Sequence, residues 1–532
     1  MRTLGKLLCI LMALSLLCGC GPSLEERLEG IAALGESPDD NYRTWYEIFV
    51  YSFCDSNGDG IGDLNGVRSK LDYLQELGIT GIWLMPIHPS TSYHKYNVSD
   101  YYAIDPDYGT MEDFDALLAE CHERGIRVIL DLVVNHCGSA HPWFAKVQAY
   151  ISGLPAGQAV DLEACPYAEY FNLVEEFQAG YKEIGASGRF YECRFSSSMP
   201  DLNLDSEAVR AEIRSIMEFW LNKGVDGFRL DAAKEYWTGN SEKNIEVLHW
   251  IQQTAQELKP GCYLVAEVWD TFGEITDYYT SGITSLFAFP FGNTDGKIIS
   301  VLRGAGNASV VSTYATALEK ADRAYLASNS EYIDAPFLSN HDVGRIAGFA
   351  AQDENKIKLA AAMNLFMSGS AFIYYGEELG MPGSGNDPSK RAPMYWNAAR
   401  EQGTTQAPPD CVLPESYPFG SLEEQKTQEN SIYNYYRQAI AIRQALPVIS
   451  HGRTTAEAAL NQGCVSAQRK SWQDQQCIIL MNIDSKEARV ELSNYDGWEL
   501  KASLSADGQE VTQKGSRLQL PAWGVAVLMP NG

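Results

Sequence analysis

The sequence predicts an α/β protein: a (β/α)8 TIM barrel with one inserted subdomain and a C-terminal antiparallel β-sandwich. Three observations lead to this fold class. Eight short apolar strands recur up to residue 375, amphipathic segments lie between several of them, and alternating strands follow residue 447. Strands that are apolar throughout are covered on both faces, as in a parallel sheet, and eight such strand–helix units are typical of this barrel.

The predicted barrel strands occupy 45–53, 79–85, 127–134, 227–231, 263–268, 285–291, 335–338 and 371–375. Helical periodicity predicts amphipathic helices at 64–77, 111–124, 207–223 and 245–258, and a last barrel helix at 430–445. The barrel is therefore expected to span 43–136 and 201–447.

One connection, after the third strand, is far too long for a loop. About 70 residues separate that strand from the helix at 207, and a structureless loop of that length is improbable in a compact domain. We therefore predict an inserted subdomain at 137–200. Short alternating strands at 465–468, 476–483, 488–492 and 524–529 predict the β-sandwich, which we place at 448–532.

The N-terminus has the pattern of an export signal. Arg2 and Lys6 precede an apolar stretch at 7–17 that is too short to span a bilayer comfortably. The sequence Leu-Cys-Gly-Cys at 17–20 resembles the bacterial lipobox, which implies a signal peptide at 1–20 and lipidation of Cys20. The polar, acidic segment 21–42 then suits a tether. An exported, lipid-anchored protein is expected, and an ordinary secretory signal is the alternative.

The charge balance limits the partners. With 41 Lys and Arg against 69 Asp and Glu, the formal net charge is −28. This charge repels nucleic acid and anionic lipid headgroups, so we expect no nucleic-acid partner and no membrane contact besides the anchor. A neutral substrate is compatible with it, and we expect a monomer.

Nine cysteines follow the signal and form no CxxC pair, so they predict neither a zinc site nor a disulfide framework. Cys165 with Cys193, or Cys464 with Cys477, could pair. Most of the nine are expected to be buried thiols.

Charged residues end four of the predicted strands. In a barrel of this type the carboxyl ends of the strands face one cleft. A single charged residue there would be read as a structural ion pair, but four segments together indicate a site. The residues concerned are Asp131, His136, Arg229, Asp231, Glu267, His341 and Asp342.

These four segments resemble the signature stretches of the α-amylase family, glycoside hydrolase family 13, in order and spacing. Segments 81–86, 199–203 and 376–380 are also similar to that family, and the resemblance spans 45–445. The stretch Met-Pro-Asp-Leu-Asn at 199–203 looks intermediate between the oligo-1,6-glucosidase and neopullulanase types. The resemblance implies a retaining glycoside hydrolase that cleaves α-1,4-glucosidic bonds in starch and maltooligosaccharides.

Residue by residue, the resemblance makes Asp231 the nucleophile, Glu267 the general acid/base and Asp342 the third carboxylate, which stabilises the transition state. A retaining enzyme needs two carboxyl groups about 5–5.5 Å apart, one of them ionised and the other protonated. Arg229 lies two residues before Asp231 on one strand, so both side chains point to the same face. Its charge would keep Asp231 ionised.

The resemblance also implies substrate contacts, and Arg229 is counted among them. Tyr96 looks like the tyrosine that stacks under the sugar at the cleavage site, and His136 and His341 would hydrogen-bond its hydroxyls. Asp131 is assigned to holding the site together. Trp396, in the long loop after the eighth strand, would stack a further sugar, with a buried loop tryptophan as the alternative.

The segment 55–63 alternates oxygen-bearing side chains with glycines, as a hard cation such as Ca²⁺ prefers. The α-amylase family carries a similar loop that binds calcium. The resemblance implies a structural Ca²⁺ held by Asp55, Asn57, Asp59, Asp63 and the backbone carbonyl of Ile61. The alternative is a polar turn.

Other uses of the same chemistry remain open. One alternative is an exo-acting α-glucosidase or oligo-1,6-glucosidase, and another is a glucanotransferase, in which a sugar replaces the attacking water. A remote alternative is a non-catalytic glucan-binding surface lipoprotein, but such a protein would be expected to lack at least one of the three carboxylates.

Overall fold

The computed structural model describes residues 22–155, 157–401 and 403–531. The predicted signal peptide, with Cys20, lies outside them. None of the helices described is both long and apolar enough to cross a bilayer.

The strands are β1 Thr44–Ile48, β2 Gly81–Leu84, β3 Arg127–Leu132, β4 Leu173–Val174, β5 Tyr181–Glu183, β6 Phe190–Glu192, β7 Gly227–Leu230, β8 Tyr263–Ala266, β9 Ser285–Leu286, β10 Ala371–Tyr374, β11 Arg453–Ala456, β12 Val465–Trp472, β13 Gln475–Asn482, β14 Ala488–Glu491, β15 Trp498–Ser505, β16 Thr512–Lys514, β17 Arg517–Leu520 and β18 Gly524–Pro530.

The α-helices are α1 Leu24–Ala32, α2 Val50–Phe53, α3 Leu64–Arg68, α4 Leu71–Leu77, α5 Met111–Glu123, α6 Pro142–Gly153, α7 Glu207–Lys223, α8 Ser241–Leu258, α9 Phe272–Tyr278, α10 Lys297–Arg303, α11 Ala308–Val311, α12 Thr313–Ser328, α13 Ile346–Phe349, α14 Glu354–Leu365, α15 Asp387–Lys390, α16 Leu422–Lys426, α17 Ile432–Ala445 and α18 Val448–His451. Short 3₁₀ helices lie at Pro166–Tyr170, Ala233–Glu235, Tyr279–Ser281 and Glu377–Leu379.

The barrel sheet is parallel, in the order β10-β1-β2-β3-β7-β8-β9. Its interior is close-packed. The Trp45 ring lies against Gly81 of the neighbouring strand, where a Cβ atom would come within 2.3 Å of the ring, so only glycine fits. The fold class predicted from the sequence, a (β/α)8 barrel with an antiparallel C-terminal domain, is confirmed.

The barrel closes through a segment that is not a regular strand. Residues 335–338 were predicted as the seventh strand, but they form only a bridge between Ala335 and Phe287 of the preceding segment. The amide of Ala288 donates to the carbonyl of Ala335, and the amide of Phe372 donates to the carbonyl of Pro336. Pro336 has no N–H to donate, which prevents a continuous ladder here.

The first strand is shorter than predicted. Residues 45–53 were expected to be one strand, but β1 ends at Ile48 and the chain continues into α2. The loop that follows folds back on this helix: the amide of Gly62 donates to the carbonyl of Tyr51, and a Cβ atom on Gly62 would lie 1.9 Å from the carbonyl oxygen of Val50. The apolar composition of residues 45–53 does not by itself indicate that the strand ends at Ile48.

The inserted segment forms a small subdomain of α6 and the three-stranded sheet β4-β6-β5. Its core includes Phe144, whose ring contacts those of Phe171 and Tyr191. A bridge between His136 and Asp201 joins its two ends at the barrel.

The C-terminal domain consists of the five-stranded sheet β11-β12-β13-β18-β15 and the three-stranded sheet β14-β17-β16, both antiparallel. Leu480, Leu520 and Leu528 are among the fully buried residues of its apolar core. The nine cysteines after the signal are free thiols, so neither of the two possible disulfides is formed.

Part of the predicted tether is folded. Helix α1 begins with a capping box, in which Ser23 and Glu26 exchange hydrogen bonds, and it packs on α17 through contacts that include an Arg437–Glu25 ion pair of 3.2 Å. Leu24 is buried. The acidic composition of 21–42 suggested a solvated chain, but the apolar side of α1 finds a partner surface.

Candidate active site

A cleft of about 1060 Å³ opens at the carboxyl ends of the barrel strands. Asp231 follows β7, Glu267 follows β8, and Asp342 follows the closing segment, so the barrel brings together three carboxylates that are distant in sequence. His136 and Tyr96 also line the cleft. The strand-end argument therefore predicted the place of four of these five residues in the fold, and the family resemblance predicted that of Tyr96.

Arg229 joins two of these three carboxylates. One guanidinium nitrogen lies 2.6 Å from Oδ1 of Asp231, and the other lies 2.9 Å from Oε2 of Glu267. The first nitrogen also contacts Oδ1 of Asp131 at 2.9 Å. Because a guanidinium is rigid and planar, it fixes the separation of the carboxylates that it binds.

Asp342 has a different set of partners. Its Oδ1 lies 2.8 Å from the guanidinium of Arg391, and its Oδ2 lies 3.1 Å from Nε2 of His341. Nδ1 of the same imidazole is 2.7 Å from Oε1 of Glu47. The Asp342 side chain remains about one-third exposed, so it is held by cations while it still faces the cleft.

The electrostatics separate the carboxyl groups into two kinds. Burial raises the pKa of Glu267 above its usual value, although the Arg229 charge opposes the shift. Burial alone would raise the pKa of Asp342 too, but the imidazolium of His341 and the guanidinium of Arg391 hold it well below its usual range. Glu267 is therefore suited to carry a proton while Asp342 stays ionised.

The groups beneath the cleft have shifted pKa values of their own. Burial by itself would lower the pKa of His341, but the carboxylates of Asp342 and Glu47 raise it to about 10. Burial raises the pKa of Asp131 to about 7. His341 is thus a fixed cation at neutral pH.

Tyr96 and His136, which both line the cleft, differ in their hydrogen bonding. The hydroxyl of Tyr96 donates to Oδ2 of Asp131 at 3.0 Å and lies 2.7 Å from Nε2 of His341, so its ring is held in place. Among the described residues, Nε2 of His136 has no hydrogen-bond partner although it is buried. A buried polar atom without a partner at a cleft wall is available to a ligand.

Two residues expected to touch the sugar lie beneath the cleft. His341 and Arg229 are fully buried and do not line it. Both ring nitrogens of His341 are engaged by Glu47, Asp342 and Tyr96, which corrects the expectation that this ring binds sugar hydroxyls. Both residues hold the carboxylates of the cleft in place and supply positive charge beneath them.

The expectation that Trp396 stacks a sugar is also corrected. Its indole N–H donates to the carbonyl of Phe53 at 2.7 Å, and its ring packs against Phe53 and Tyr73, with the ammonium of Lys70 4.4 Å from the ring centre. It does not line the cleft. Trp396 is a buried loop tryptophan, the alternative that its loop position left open.

The loop expected to bind calcium is closed by its own hydrogen bonds. Asp55 accepts from the amides of Asn57, Gly58 and Gly60, and Asp63 caps α3 by accepting from the amide of Gly66. Among the residues described, no group of three or more His, Cys, Asp or Glu is placed to hold a metal ion. The calcium site stays a prediction, and it requires these carboxylates to turn toward one centre.

Several residues of the site were missed from the sequence. Tyr93, His94 and Arg391 line the cleft, and Glu47 lies below it. Glu47 could have been found, since a lone carboxylate inside an apolar strand is costly unless it is paired. Arg391 lies in a loop expected to border the cleft, but nothing in the sequence indicates that it reaches Asp342.

Comparison with known proteins decides the family. Residues 47–452 match the family described as "Alpha amylase, catalytic domain". The chain belongs to the α-amylase family. It is therefore a glycoside hydrolase with the (β/α)8 barrel of that family.

The relatives of this α-amylase family chain are named for several different activities. Alpha-amylase 3 of Dictyoglomus thermophilum is 38% identical over 458 residues, which are 85% of this chain and 86% of that protein. The solved structure of Eubacterium rectale Amy13B has a TM-score of 0.91 and 42% identity, covering 96% of this chain and 100% of that one. The 4-alpha-glucanotransferase of Thermotoga neapolitana is 32% identical over 402 residues, 73% of this chain and 84% of that protein.

Proposed function

We propose that this chain is a retaining α-amylase that cleaves internal α-1,4-glucosidic bonds of starch and maltooligosaccharides. The observation that carries the proposal is the guanidinium of Arg229, whose two terminal nitrogens contact Oδ1 of Asp231 at 2.6 Å and Oε2 of Glu267 at 2.9 Å at the cleft floor. Two carboxyl groups held by one guanidinium can supply the nucleophile and the general acid that a retaining glycosidase needs at the scissile bond.

The reaction follows from these roles. Asp231 attacks the anomeric carbon while Glu267 gives its proton to the glycosidic oxygen, so the glycosidic bond breaks and a glycosyl ester forms. Glu267 then takes a proton from water, whose oxygen attacks the same carbon and releases Asp231. Asp342, held ionised by His341 and Arg391, stabilises the positive charge that develops on the sugar ring.

Three observations favour internal cleavage. The cleft volume of about 1060 Å³ lies at the upper end of what ligand pockets reach, which suits a chain of several sugars. Family members often carry an aspartate after this tyrosine, and Asn97 removes that negative charge near the non-reducing end, which disfavours an exo-acting glucosidase; the Asn97 amide donates to the carbonyl and hydroxyl oxygens of Ser198 and does not line the cleft. One of the most similar relatives is named an α-amylase. An exo-acting glucosidase or a glucanotransferase is the second candidate, because a relative with the latter name shares the catalytic domain.

The deciding experiment is a product profile over time on amylose, with isomaltose and pullulan in parallel. We expect early release of a spread of maltooligosaccharides in the α-anomeric form. Glucose alone from the first minutes would indicate an exo-glucosidase. Chains longer than the substrate, with few new reducing ends, would indicate a transferase.

We further propose that the protein is exported and anchored through a lipid on Cys20. The lipobox-like sequence at 17–20 supports this part. Fractionation of cells that express the wild type or Cys20→Ser tests it: the activity is expected in the membrane fraction for the former and in the soluble fraction for the latter. Equal membrane association of both proteins would refute the anchor.

A further inference from the structure

The loop that follows β2 contains a residue with a strained backbone beside the cleft. A bridge between Ser90 and Val98 closes this loop, and we refer to residues 90–98 as the tyrosine loop. Its cleft-lining residues are Tyr93, His94 and Tyr96. Lys95 does not line the cleft, and its φ of +66° lies in the left-handed region, which is uncommon for residues other than glycine.

The side chain of Lys95 is buried and held by two carboxylates. Its Nζ lies 2.8 Å from Oδ2 of Asp105 and 3.0 Å from Oδ2 of Asp107. The ring of Tyr108 lies beside the same ammonium, with its centre 5.1 Å away. Asp105 is buried as well, whereas Asp107 is half exposed. A buried charge is costly unless it is paired, so the Lys95–Asp105 pair depends on both of its members.

Asp105 also holds the start of the tyrosine loop. Its Oδ2 accepts from the amide of Ser90 at 3.1 Å. Its own amide donates to the carbonyl of Ile87 at 2.8 Å, so its backbone is fixed to the segment that follows β2. One carboxylate therefore ties the start and the middle of the loop to a single place.

Two unfavourable features coincide at Lys95, a left-handed backbone and a buried ammonium. Glycine at this position would carry neither of them. The amide of Lys95 closes a turn by donating to the carbonyl of Ser92 at 3.2 Å. Backbone strain persists only where surrounding contacts hold it, and it concentrates at functional sites. The ion pair with Asp105 is such a contact, because it acts on the strained residue itself.

The residue that leaves this turn is Tyr96. Its hydroxyl lies 3.0 Å from Oδ2 of Asp131 and 2.7 Å from Nε2 of His341, and a small displacement would break both contacts. Its amide donates to Nδ1 of His94 at 3.2 Å, which couples the two cleft-lining rings on either side of Lys95. A change of the backbone at Lys95 would therefore displace the rings that face the cleft.

We propose that the Lys95–Asp105 ion pair is a positioning element for the proposed reaction. It holds the left-handed turn at Lys95 and thereby sets the ring of Tyr96 against the sugar at the cleavage site. Lys95 itself does not touch the substrate. The inference rests on the proposed function, because the position of Tyr96 affects the rate only if its ring supports a sugar.

The first test compares alanine with glycine at position 95. Lys95→Ala removes the ion pair and leaves the backbone strained, so we expect kcat on maltoheptaose to fall about 10²-fold, as a misplacement of about 1 Å can cause. KM should change little, because the other sugars of the chain still bind. Lys95→Gly also lacks the ion pair but adopts the left-handed turn without strain, so its kcat should lie several-fold above that of Lys95→Ala. A role in stability alone would not favour glycine, which loses more conformational entropy on folding.

A double-mutant cycle tests whether Lys95 acts through Tyr96. In the Tyr96→Ala background, adding Lys95→Ala should lower kcat by less than about threefold further, because the side chain that the ion pair positions is already absent. A further loss of about 10²-fold would contradict the proposal, since it would mean that the two residues act independently.

Lys358→Ala is the matched control. Lys358 is also a buried lysine in an ion pair, with its Nζ 2.7 Å from Oε1 of Glu354 on α14, and it does not line the cleft. We expect this variant to lose melting temperature, as Lys95→Ala does, but to keep the kcat and KM of the wild type. If Lys95→Ala does not fold, Asp105→Asn replaces it. That variant keeps the side-chain shape without the charge, and the same fall in kcat at a nearly constant KM is expected.

Crystal structures of the variants give a readout that needs no activity. The hydroxyl of Tyr96 is expected to lie beyond hydrogen-bond distance of Asp131 and His341 in Lys95→Ala and within it in Lys95→Gly. An undisplaced hydroxyl in Lys95→Ala, or a kcat of this variant near that of the wild type, would overturn the proposal. If the wild type does not hydrolyse maltoheptaose but the hydroxyl is displaced in Lys95→Ala, the proposed function fails and the positioning role stands.

Discussion

The cleft and the loop at 55–63 both contain carboxylates, but the groups that bind those carboxylates differ. In the cleft, Asp231, Glu267 and Asp342 are held by the side-chain cations of Arg229, His341 and Arg391. In the loop, Asp55 and Asp63 are held by backbone amides.

The difference shows what a carboxylate-rich motif can and cannot indicate. A carboxyl group paired with a side-chain cation at a cleft remains available to a substrate. A carboxylate surrounded by backbone N–H groups stabilises a turn, which is a complete explanation of its presence. Changing members of each group should therefore separate effects on catalysis from effects on stability.

The largest effect is expected from Asp231→Asn. Loss of the nucleophile should lower kcat by at least ~10⁴-fold, as removal of a catalytic group commonly does. The shape of the side chain is kept, so the circular dichroism spectrum and the melting temperature should change little. Turnover near that of the wild type would remove Asp231 from the mechanism.

Asp55→Ala should give the reverse pattern. Three amides would lose their acceptor, and we expect the free energy of unfolding to fall by about 2 kcal/mol, measured by urea titration in calcium-free buffer. The kcat of the folded enzyme should stay within a factor of about two, because the loop supplies nothing to the cleft. A loss of kcat without a loss of stability would contradict the structural role.

The control for this variant is Asp59→Asn. Asp59 is exposed and accepts only from the amide of Ile61, a bond that the amide oxygen of asparagine can also accept. Its stability without calcium should match that of the wild type.

The pH dependence sharpens the assignment of Glu267. The general acid must be protonated, and burial raises its pKa, so the alkaline limb of kcat/KM should lie above pH 4.5 and fall tenfold per pH unit beyond that pKa. A pH–rate profile on maltoheptaose measures it. An alkaline limb at or below pH 4.5 would exclude Glu267 as the buried acid.

A further effect on stability is expected from calcium. If Ca²⁺ binds at 55–63, it should raise the melting temperature by several degrees, about 2.7 kcal/mol of stabilisation at a hundredfold excess over its Kd. The shift should be lost in Asp59→Asn, which otherwise unfolds as wild type. No shift in the wild type, together with no bound calcium by elemental analysis, would leave the loop as a turn only.

The sequence was sufficient for the barrel, the three carboxylates and their place at the strand ends, because these depend on local apolar patterns and on a topological rule. It was insufficient where partners are distant in the chain. Nothing near His341 indicates that Glu47, 294 residues away, occupies one of its nitrogens. Likewise, Trp396 is buried by Phe53 and Tyr73, which only the folded barrel brings to it.

Two local features could also not be predicted from the pattern of apolar and polar residues. The apolar run at 45–53 has the composition of one strand, but the chain becomes helical at Val50, and Gly62 of the following loop packs closely on that turn. The helix α1 has an acidic composition, and it folds because α17 offers a surface that the sequence does not reveal.

Helix α1 would also limit the reach of the enzyme if the chain is anchored through Cys20 as proposed. A free tether of 22 residues would let the catalytic body range up to ~75 Å from a lipid on Cys20. Because the folded structure already begins with the cap at Ser23, only three residue steps separate it from that cysteine, a span of about 10 Å. An enzyme anchored in this way would sit directly against the bilayer, and glucan chains would then have to come to the membrane surface to be cut.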